Sequence, residues 1–255
     1  CPSSPLQEIL KNQYQIQDTV GESNTCWMLK CRSLQNGSNV FVQYAKEPMK
    51  LKELGSLHPY LLLPNNKEEL QSRPLRVYSA QSFRQLPTTM TELFAIQLAM
   101  QLVDLLESFH AAGITGLDIA PCHVLLNDNG LARFAMIPAA CYSGIADDKA
   151  DIFSIGIFLL ELLTGLKRPY TPLGGLDEEK IQQQLRPKAS APLCDLIWLI
   201  LRCQLQELDK IESRLRELLA GMLTPYGESN KMLKLQIIKG SKSIVYLTDE
   251  QQPCQ

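Results

Sequence analysis

Three residues near the middle of the chain are of types that carry enzyme chemistry: Asp118, Cys122 and His123. A carboxylate and an imidazole can accept protons, and a thiol paired with an imidazole can act as a nucleophile. Cys122 and His123 are neighbours in the chain, however, and this alone does not bring their functional atoms together. His58 is explained by a His-Pro turn and His110 by the end of a helix, so no Ser-His-Asp arrangement is indicated. We therefore predict that the histidines are structural and that the chain is not a thiol enzyme.

The segment around these residues resembles the catalytic loop of protein kinases. Residues 114–126 read ITGLDIAPCHVLL, and the family pattern is H-R-D-L-x-P-x-N-V-L-L. Asp118 matches the proton-accepting aspartate of the family, but Gly116 and Leu117 replace its His and Arg, and His123 replaces its Asn. The resemblance, which is nearest to bacterial Ser/Thr kinase-like domains, implies a domain that has lost most of its catalytic groups. We interpret the chain as a pseudokinase.

The positions that hold phosphate in the family are also degenerate. The glycine-rich loop G-x-G-x-x-G aligns with residues 21–26, where only Gly21 remains. The strand motif V-A-x-K aligns with residues 40–43, so neutral Gln43 replaces the lysine that meets the phosphates. Lys46 lies at an odd offset from Gln43 and is expected on the opposite face of the strand. The resemblance therefore predicts a groove with no cation for a triphosphate, and ATP binding is not expected.

The partner of the family's lysine and its metal ligands are missing as well. Counting back from Leu57-His58-Pro59, which resembles the end of the family's regulatory helix, places Met49 at the position of the helix glutamate. Gln43 and Met49 are so close in the chain that we expect this helix to be shortened or missing. The D-F-G position falls on Met136, and the metal-binding Asn is His123. Because magnesium requires hard oxygen ligands, we predict no metal and no cofactor.

Two aspartates remain at family positions. Asp118 alone does not restore catalysis, and a loop aspartate that forms a turn is the simpler interpretation. Asp151 begins the motif DIFSIG, which resembles the family's D-I-Y-S-L-G at the start of a buried helix. The resemblance implies that Asp151 supports the catalytic loop by accepting backbone hydrogen bonds, and an ordinary helix N-cap is the alternative. Residues 137–150 leave little room for an activation segment, so peptide docking in the family's manner is not expected.

Hydrophobic patterning predicts strands first and helices afterwards. The predicted strands are residues 14–21, 26–33, 39–44, 61–63 and 75–80, with a hairpin turn at Asn36-Gly37. A long helix is predicted to begin with a Thr89–Glu92 capping box and to end before Gly113. Further helices are predicted at residues 148–164, 177–185, 191–203 and 207–220, the last stopped by Gly221.

This order of elements predicts an α+β chain with a two-lobed protein kinase-like fold. We expect a small antiparallel β-sheet lobe in residues 1–85, with a reduced or missing regulatory helix. A larger, mainly α-helical lobe is expected in residues 86–222. Residues 223–255 are predicted to be a tail with a candidate β-hairpin, for which the resemblance does not account.

Composition excludes several other classes of protein. The 255 residues are 45% hydrophobic and 20% charged, with a formal net charge of −2, so neither disorder nor nucleic-acid binding is expected. The eight cysteines are scattered without C-x-x-C pairs, which favours reduced thiols and a cytoplasmic location. The longest apolar stretch, residues 152–163, is too short for membrane insertion. The chain begins at Cys1 rather than Met, and we expect it to be one domain of a longer protein.

We therefore predict a catalytically inactive pseudokinase domain, a regulatory module or scaffold that binds a protein partner or a fused neighbouring domain. Two alternatives stay open. One is an atypical nucleotide-binding kinase with weak phosphotransfer activity that uses Asp118 and a displaced lysine, Lys46 or Lys30; the other is a structural spacer. The space that adenine would need is expected to be at least partly occupied, with the bulky side chains of Trp27, Met28 and Phe41 as the candidates.

Overall fold

The computed structural model describes residues 4–47, 58–87, 90–135, 148–167 and 175–223. These residues form an α+β structure. Its strands are β1 (Tyr14–Glu22), β2 (Cys26–Ser33), β3 (Asn39–Ala45), β4 (Asn66–Leu70), β5 (Arg73–Ser79), β6 (Phe83–Gln85), β7 (Val124–Asn127) and β8 (Ala132–Phe134). Its helices are α1 (Ser4–Leu10), α2 (Glu92–Ala111), α3 (Asp148–Thr164), α4 (Glu178–Leu185), α5 (Ala191–Leu201) and α6 (Leu208–Leu223), with a 3-10 turn at Pro121–His123 before β7.

Five strands form an antiparallel sheet in the order β1-β2-β3-β5-β4. The predictions for β1, β2, β3 and β5 are confirmed, and Gly37 has a φ of 70° in the turn after β2. The predicted strand at residues 61–63 is wrong, because Leu61 forms only an isolated bridge with Phe134. The edge strand is instead the polar β4, which lacks the apolar alternation of a strand with one buried face.

The two faces of this sheet pack against different parts of the chain. On one face, Leu6 and Leu10 of α1 are buried in a cluster with side chains such as Val42. Helix α1 was not predicted from the sequence, because a seven-residue helix is too short to show clear periodicity. On the other face, Met28 and Phe41 pack in a separate cluster that includes Leu125 of β7 and Ala135. This second face contacts residues 114–126, the kinase-loop-like segment.

A three-stranded antiparallel sheet, in the order β6-β7-β8, lies beside that segment. Its first strand comes from the end of the predicted N-terminal lobe, and its other two strands follow the 3-10 turn. Leu62 N–H also donates to Phe134 O, at 2.9 Å. This sheet therefore ties the chain around residue 85 to the segment that carries Asp118 and His123.

The helices α2, α3, α5 and α6 enclose the largest apolar core. Gly156 of α3 permits a close approach to α5, since a Cβ there would lie 2.8 Å from Leu201 Cδ2. The predicted helices are confirmed to within a few residues at their ends. The prediction that Gly221 stops α6 is wrong, because α6 continues to Leu223. A glycine costs only about 1 kcal/mol inside a helix, which packing of the rest of the helix can offset.

The predicted start of α2 is also wrong. Its N-cap is Thr91. The predicted cap, Thr89, lies outside the described residues. The Glu92 carboxylate does not complete a capping box; it accepts hydrogen bonds from Ser190 N, at 2.7 Å, and Ser190 Oγ, at 2.5 Å. Glu92 thus caps α5, a helix almost a hundred residues away in the chain. Tertiary packing provides this partner, which local sequence does not reveal.

Several predictions fall outside the described residues: the regulatory helix with Met49, the D-F-G position at Met136, and the hairpin of the tail from residue 224 onward. Within the described ranges, no helix has both the length and the apolarity needed to cross a lipid bilayer. The cysteines of these ranges, Cys26, Cys31, Cys122, Cys194 and Cys203, form no disulfide.

Candidate functional site

The turn between β1 and β2 closes onto the kinase-loop-like segment. Gly21, near the end of β1, lies against Cys122, and a Cβ on Gly21 would be 2.7 Å from Cys122 Cβ. The φ angle of Gly21 is not in the left-handed region. The contact therefore requires glycine because there is no space for a side chain, and not because of its backbone conformation. The one glycine retained from the phosphate-loop pattern therefore packs the hairpin against the segment.

Asp118 is buried beneath this turn, with only 6% of its surface exposed. Its Oδ2 atom accepts hydrogen bonds from the hydroxyls of Ser23 and Thr25 and from Thr25 N, the last at 3.2 Å. Both donors belong to the region that aligns with the family's glycine-rich loop. The carboxylate is therefore held by two side chains of the β1–β2 turn.

Gln43, in the central strand β3, lies on the same face of the five-stranded sheet as Met28 and Phe41 and is 1% exposed. Its Nε2 atom donates to Ala135 O at 2.8 Å, and its Oε1 atom accepts from Tyr78 OH at 2.9 Å. Amide donors and acceptors that are satisfied in this way fix the side chain and avoid the cost of buried unpaired polar groups. Gln43 thus joins β3 to β5 and to the residue that follows β8.

Arg76 is a cation on this face that sequence reasoning missed. It stands directly opposite Gln43 in the β3–β5 register, so the two side chains lie on the same face, and it is 6% exposed. Arg76 also hydrogen-bonds the Tyr78 hydroxyl. Arg76 therefore places a cation beside Gln43 that was not predicted from the sequence. Only the register of β5 against β3 places this charge next to Gln43, and the spacing of the motif gives no signal for it.

His123 and Cys26 form the contact that the sequence analysis did not foresee. His123 Nε2 lies 3.0 Å from Cys26 Sγ, and both residues are buried. The other ring nitrogen, Nδ1, lies 2.7 Å from Asp118 O. A carbonyl oxygen can only accept, so Nδ1 carries a proton and donates it. The histidine thus connects the start of β2 with the backbone of the kinase-loop-like segment.

The surroundings of His123 affect its charge. Burial lowers the pKa of His123, but the electrostatic and hydrogen-bond interactions with Cys26 and Cys122 raise it, and the result is a pKa well above the usual value. Cys26 Sγ also lies 3.5 Å from Gln43 Nε2, an N–H donor, and 3.4 Å from Ser23 Oγ.

Asp151 is fully buried within the first turns of α3. Its Oδ2 atom accepts from Gly116 N, at 2.9 Å, and its Oδ1 atom accepts from Leu117 N, at 2.7 Å. His110 Nε2 lies 2.9 Å from the same Oδ2 atom. The alternative of an N-cap is wrong, because α3 begins three residues earlier, at Asp148. Gly116 and Leu117, at the positions of the family's His and Arg, therefore offer backbone amides to a buried carboxylate.

Lys46 is held away from Gln43. Its ammonium lies 2.5 Å from Ser23 O, 3.6 Å from the carboxylate of Glu22 and 5.4 Å from the centroid of the Trp27 ring. Trp27 in turn stacks on Tyr44, which alternates with Gln43 along β3 and so faces the other side of the sheet. Of the three bulky side chains named in the sequence analysis, Met28 and Phe41 lie on the face of Gln43, whereas Trp27 packs on the opposite face.

The site as a whole is a closed, polar contact between the β1–β2 turn and the kinase-loop-like segment. Its titratable groups, Asp118, His123 and Cys26, are buried and bonded to one another or to neighbouring donors. Exchange of protons with a substrate would require the turn to move. No family model matches the chain, and no curated protein matches its sequence.

Proposed function

We propose that the chain is a catalytically inactive, protein kinase-like domain that acts as a regulatory or protein-interaction module of a larger protein. One observation carries the proposal: the Asp118 carboxylate is bonded by Ser23 and Thr25, residues of the turn that aligns with the family's phosphate-binding loop. A base in this position must accept a proton from a substrate hydroxyl. Here the acceptor oxygen is already bonded by the domain itself.

The surroundings of Gln43, which aligns with the family's phosphate-binding lysine, support the same proposal. Gln43 carries no charge, and its amide is bonded to Ala135 O and to the Tyr78 hydroxyl. In kinases, catalysis is mostly positioning and electrostatic stabilisation of the transferred phosphoryl group, which depends on the lysine and the metal ions. Each 1.36 kcal/mol of lost transition-state stabilisation is a tenfold loss in rate. With Asp118 already bonded by the β1–β2 turn and neutral Gln43 at the lysine position, we expect no phosphoryl transfer.

The architecture is compatible with a two-lobed fold of this kind. A five-stranded antiparallel sheet is followed by several helices, and the loop with Asp118 follows the first of these, α2, and contacts the β1–β2 turn. Asp151 at the start of α3 bonds the backbone of that loop. A fold retained with its core intact while its catalytic positions are replaced is consistent with selection for a surface rather than for chemistry.

Activity is tested by transfer of radiolabelled phosphate from magnesium-ATP to the chain itself and to general protein substrates. We expect transfer at the level of a blank without protein, both for the unmodified chain and for Asp118→Asn. Asp128→Asn, at an exposed loop position, is the matched control. Transfer that disappears in Asp118→Asn and persists in Asp128→Asn would contradict the proposal.

The interaction role is tested in the longer protein that we expect to contain this domain. Co-purification of partners and the activity of neighbouring domains are compared with and without residues 1–223. We expect at least one partner, or the activity of a neighbour, to change on removal of the domain. Unchanged partners together with unchanged neighbour activity would instead support a structural spacer.

A second candidate, an atypical nucleotide-binding domain, is favoured by Arg76. Its guanidinium lies on the Gln43 face and could replace the missing lysine if the groove opened. Thermal unfolding with magnesium-ATP separates the two candidates, since a ligand at a hundredfold excess over its Kd stabilises a protein by about 2.7 kcal/mol. Our proposal expects no stabilisation. Stabilisation that is lost in Arg76→Gln and kept in Arg84→Gln, a control on the exposed part of β6, would favour nucleotide binding.

A further inference from the structure

Three side chains that can bind a metal meet at the base of the β1–β2 turn. Cys26 Sγ, His123 and a carboxylate oxygen of Asp118 all lie within 4.8 Å of one another. They are 0%, 1% and 6% exposed, respectively. Cys26 comes from the start of β2, whereas the other two lie almost a hundred residues later, so folding alone brings the three donors together.

The histidine is oriented as metal-binding histidines are. His123 Nδ1 donates its proton to Asp118 O at 2.7 Å, which leaves Nε2 as the nitrogen that faces Cys26. A hydrogen bond from the outer ring nitrogen to a backbone carbonyl is the usual way in which proteins fix the tautomer and the direction of a metal-binding imidazole. Nε2 is therefore the ring nitrogen that a metal ion among these three donors would bind in place of a proton.

The other two donors also have fixed surroundings. Gln43 Nε2, 3.5 Å from Cys26 Sγ, provides an N–H for the sulfur. Ser23 and Thr25 bond Asp118 only at Oδ2, so, among the described residues, Oδ1 is left available to a ligand. Outer hydrogen bonds of this kind hold metal ligands in place and contribute to affinity.

The donor set selects the class of ion. A thiolate and an imidazole favour zinc and similar transition metals, whereas magnesium requires an octahedron of oxygen atoms. Three protein donors leave the fourth position of a tetrahedral zinc ion for water or for the Cys122 thiol next to His123. We propose that Cys26, Asp118 and His123 form a zinc site that fastens the β1–β2 turn to the kinase-loop-like segment. This inference does not depend on the proposed function.

The test measures zinc content and a spectroscopic signature in the full chain. Protein equilibrated with zinc and then dialysed is expected to retain one zinc per chain and to melt at a higher temperature than metal-free protein. Magnesium is expected to give no such shift. With cobalt in place of zinc, the near-ultraviolet thiolate-to-cobalt charge-transfer band is expected, and added zinc should remove it.

The variants identify the ligands. Cys26→Ser and His123→Gln are each expected to weaken zinc binding at least about tenfold. In the cobalt-loaded protein, Cys26→Ser should remove the thiolate charge-transfer band, and His123→Gln should change the d–d bands of the cobalt ion. Cys203→Ser, at an exposed cysteine distant in the chain, is expected to bind as the unmodified chain does. If Cys26→Ser does not fold, His123→Gln and the cobalt spectrum of the unmodified chain still show whether the zinc site exists. Zinc retained far below one per chain, or binding unchanged in both ligand variants, would overturn the site; neither result would bear on the phosphotransfer assay.

Discussion

Gly21 and Cys122 are in direct contact, and the contact leaves no space for a side chain at residue 21. A Cβ on Gly21 would lie 2.7 Å from Cys122 Cβ and 3.6 Å from its sulfur. Cys122 Cβ is fixed to the backbone of the 3-10 turn, so it cannot yield as the tip of a long side chain would. This pair therefore sets how closely the β1–β2 turn approaches Asp118 and His123.

Replacement of Gly21 by alanine is expected to destabilise the chain by about 1–3 kcal/mol, because the added methyl group overpacks a close contact. Urea unfolding followed by circular dichroism gives this difference. Cys122→Gly removes the opposing Cβ, so the double variant should lose less stability than the two single changes summed. Additive losses would mean that the contact does not limit the approach of the turn.

Asp151→Ala is expected to cost about 3 kcal/mol of unfolding free energy. The change leaves two buried backbone amides, Gly116 N and Leu117 N, without their acceptor and also removes the partner of His110. The control is Asp148→Ala, at an exposed position of the same helix turn, for which a loss of about 1 kcal/mol or less is expected. Equal losses in the two variants would show that Asp151 acts only through the helix end.

Stability is expected to fall at high pH in a way that depends on Tyr78. Burial raises the pKa of Tyr78 from 10.0 to about 12, against the opposing effect of Arg76. Between these values the phenol ionises in the unfolded chain but not in the folded one. The contribution of Tyr78 to the free energy of unfolding is therefore complete below pH 10 and is lost as the pH rises toward about 12. The free energy of unfolding should fall by about 1–3 kcal/mol over this range.

Urea unfolding at about pH 8 and about pH 11 checks this expectation by comparison with Tyr78→Phe. Phenylalanine removes the hydrogen bond to Gln43 and should lower stability by about 1 kcal/mol at the lower pH. Its further loss at the higher pH should be smaller than that of the unmodified chain, because the other tyrosines are common to both. The same pH dependence in both proteins would refute the assignment to Tyr78.

The cysteines are expected to differ widely in reactivity. Cys31 is 0% exposed, and burial raises its pKa from 9.0 to about 12, so its thiolate population is reduced by roughly a thousandfold. Cys203 is exposed. Brief alkylation of the folded chain, followed by peptide mass spectrometry, should label Cys203 and leave Cys31 unmodified. Equal labelling of the two in the folded chain would contradict the buried position of Cys31.

Much of the secondary structure followed from local patterns in the sequence. The strands β1, β2, β3 and β5 and the long helices carry apolar residues at the period of their own structure, and this period depends only on nearby residues. Elements without such a signal were missed. The polar edge strand β4 and the short helix α1 were not predicted, and the apolar run at residues 61–63 proved not to be a strand.

The sequence by itself determined which chemical groups the β1–β2 turn, β3 and residues 114–126 carry, including neutral Gln43, Asp118 and His123. Tertiary structure alone decided which groups meet. Cys26 and His123, Gln43 and Arg76, and Glu92 and Ser190 are each brought together by strand register or helix packing across a long stretch of chain. Spacing along a sequence specifies local geometry, whereas contacts between distant residues depend on how the whole core packs.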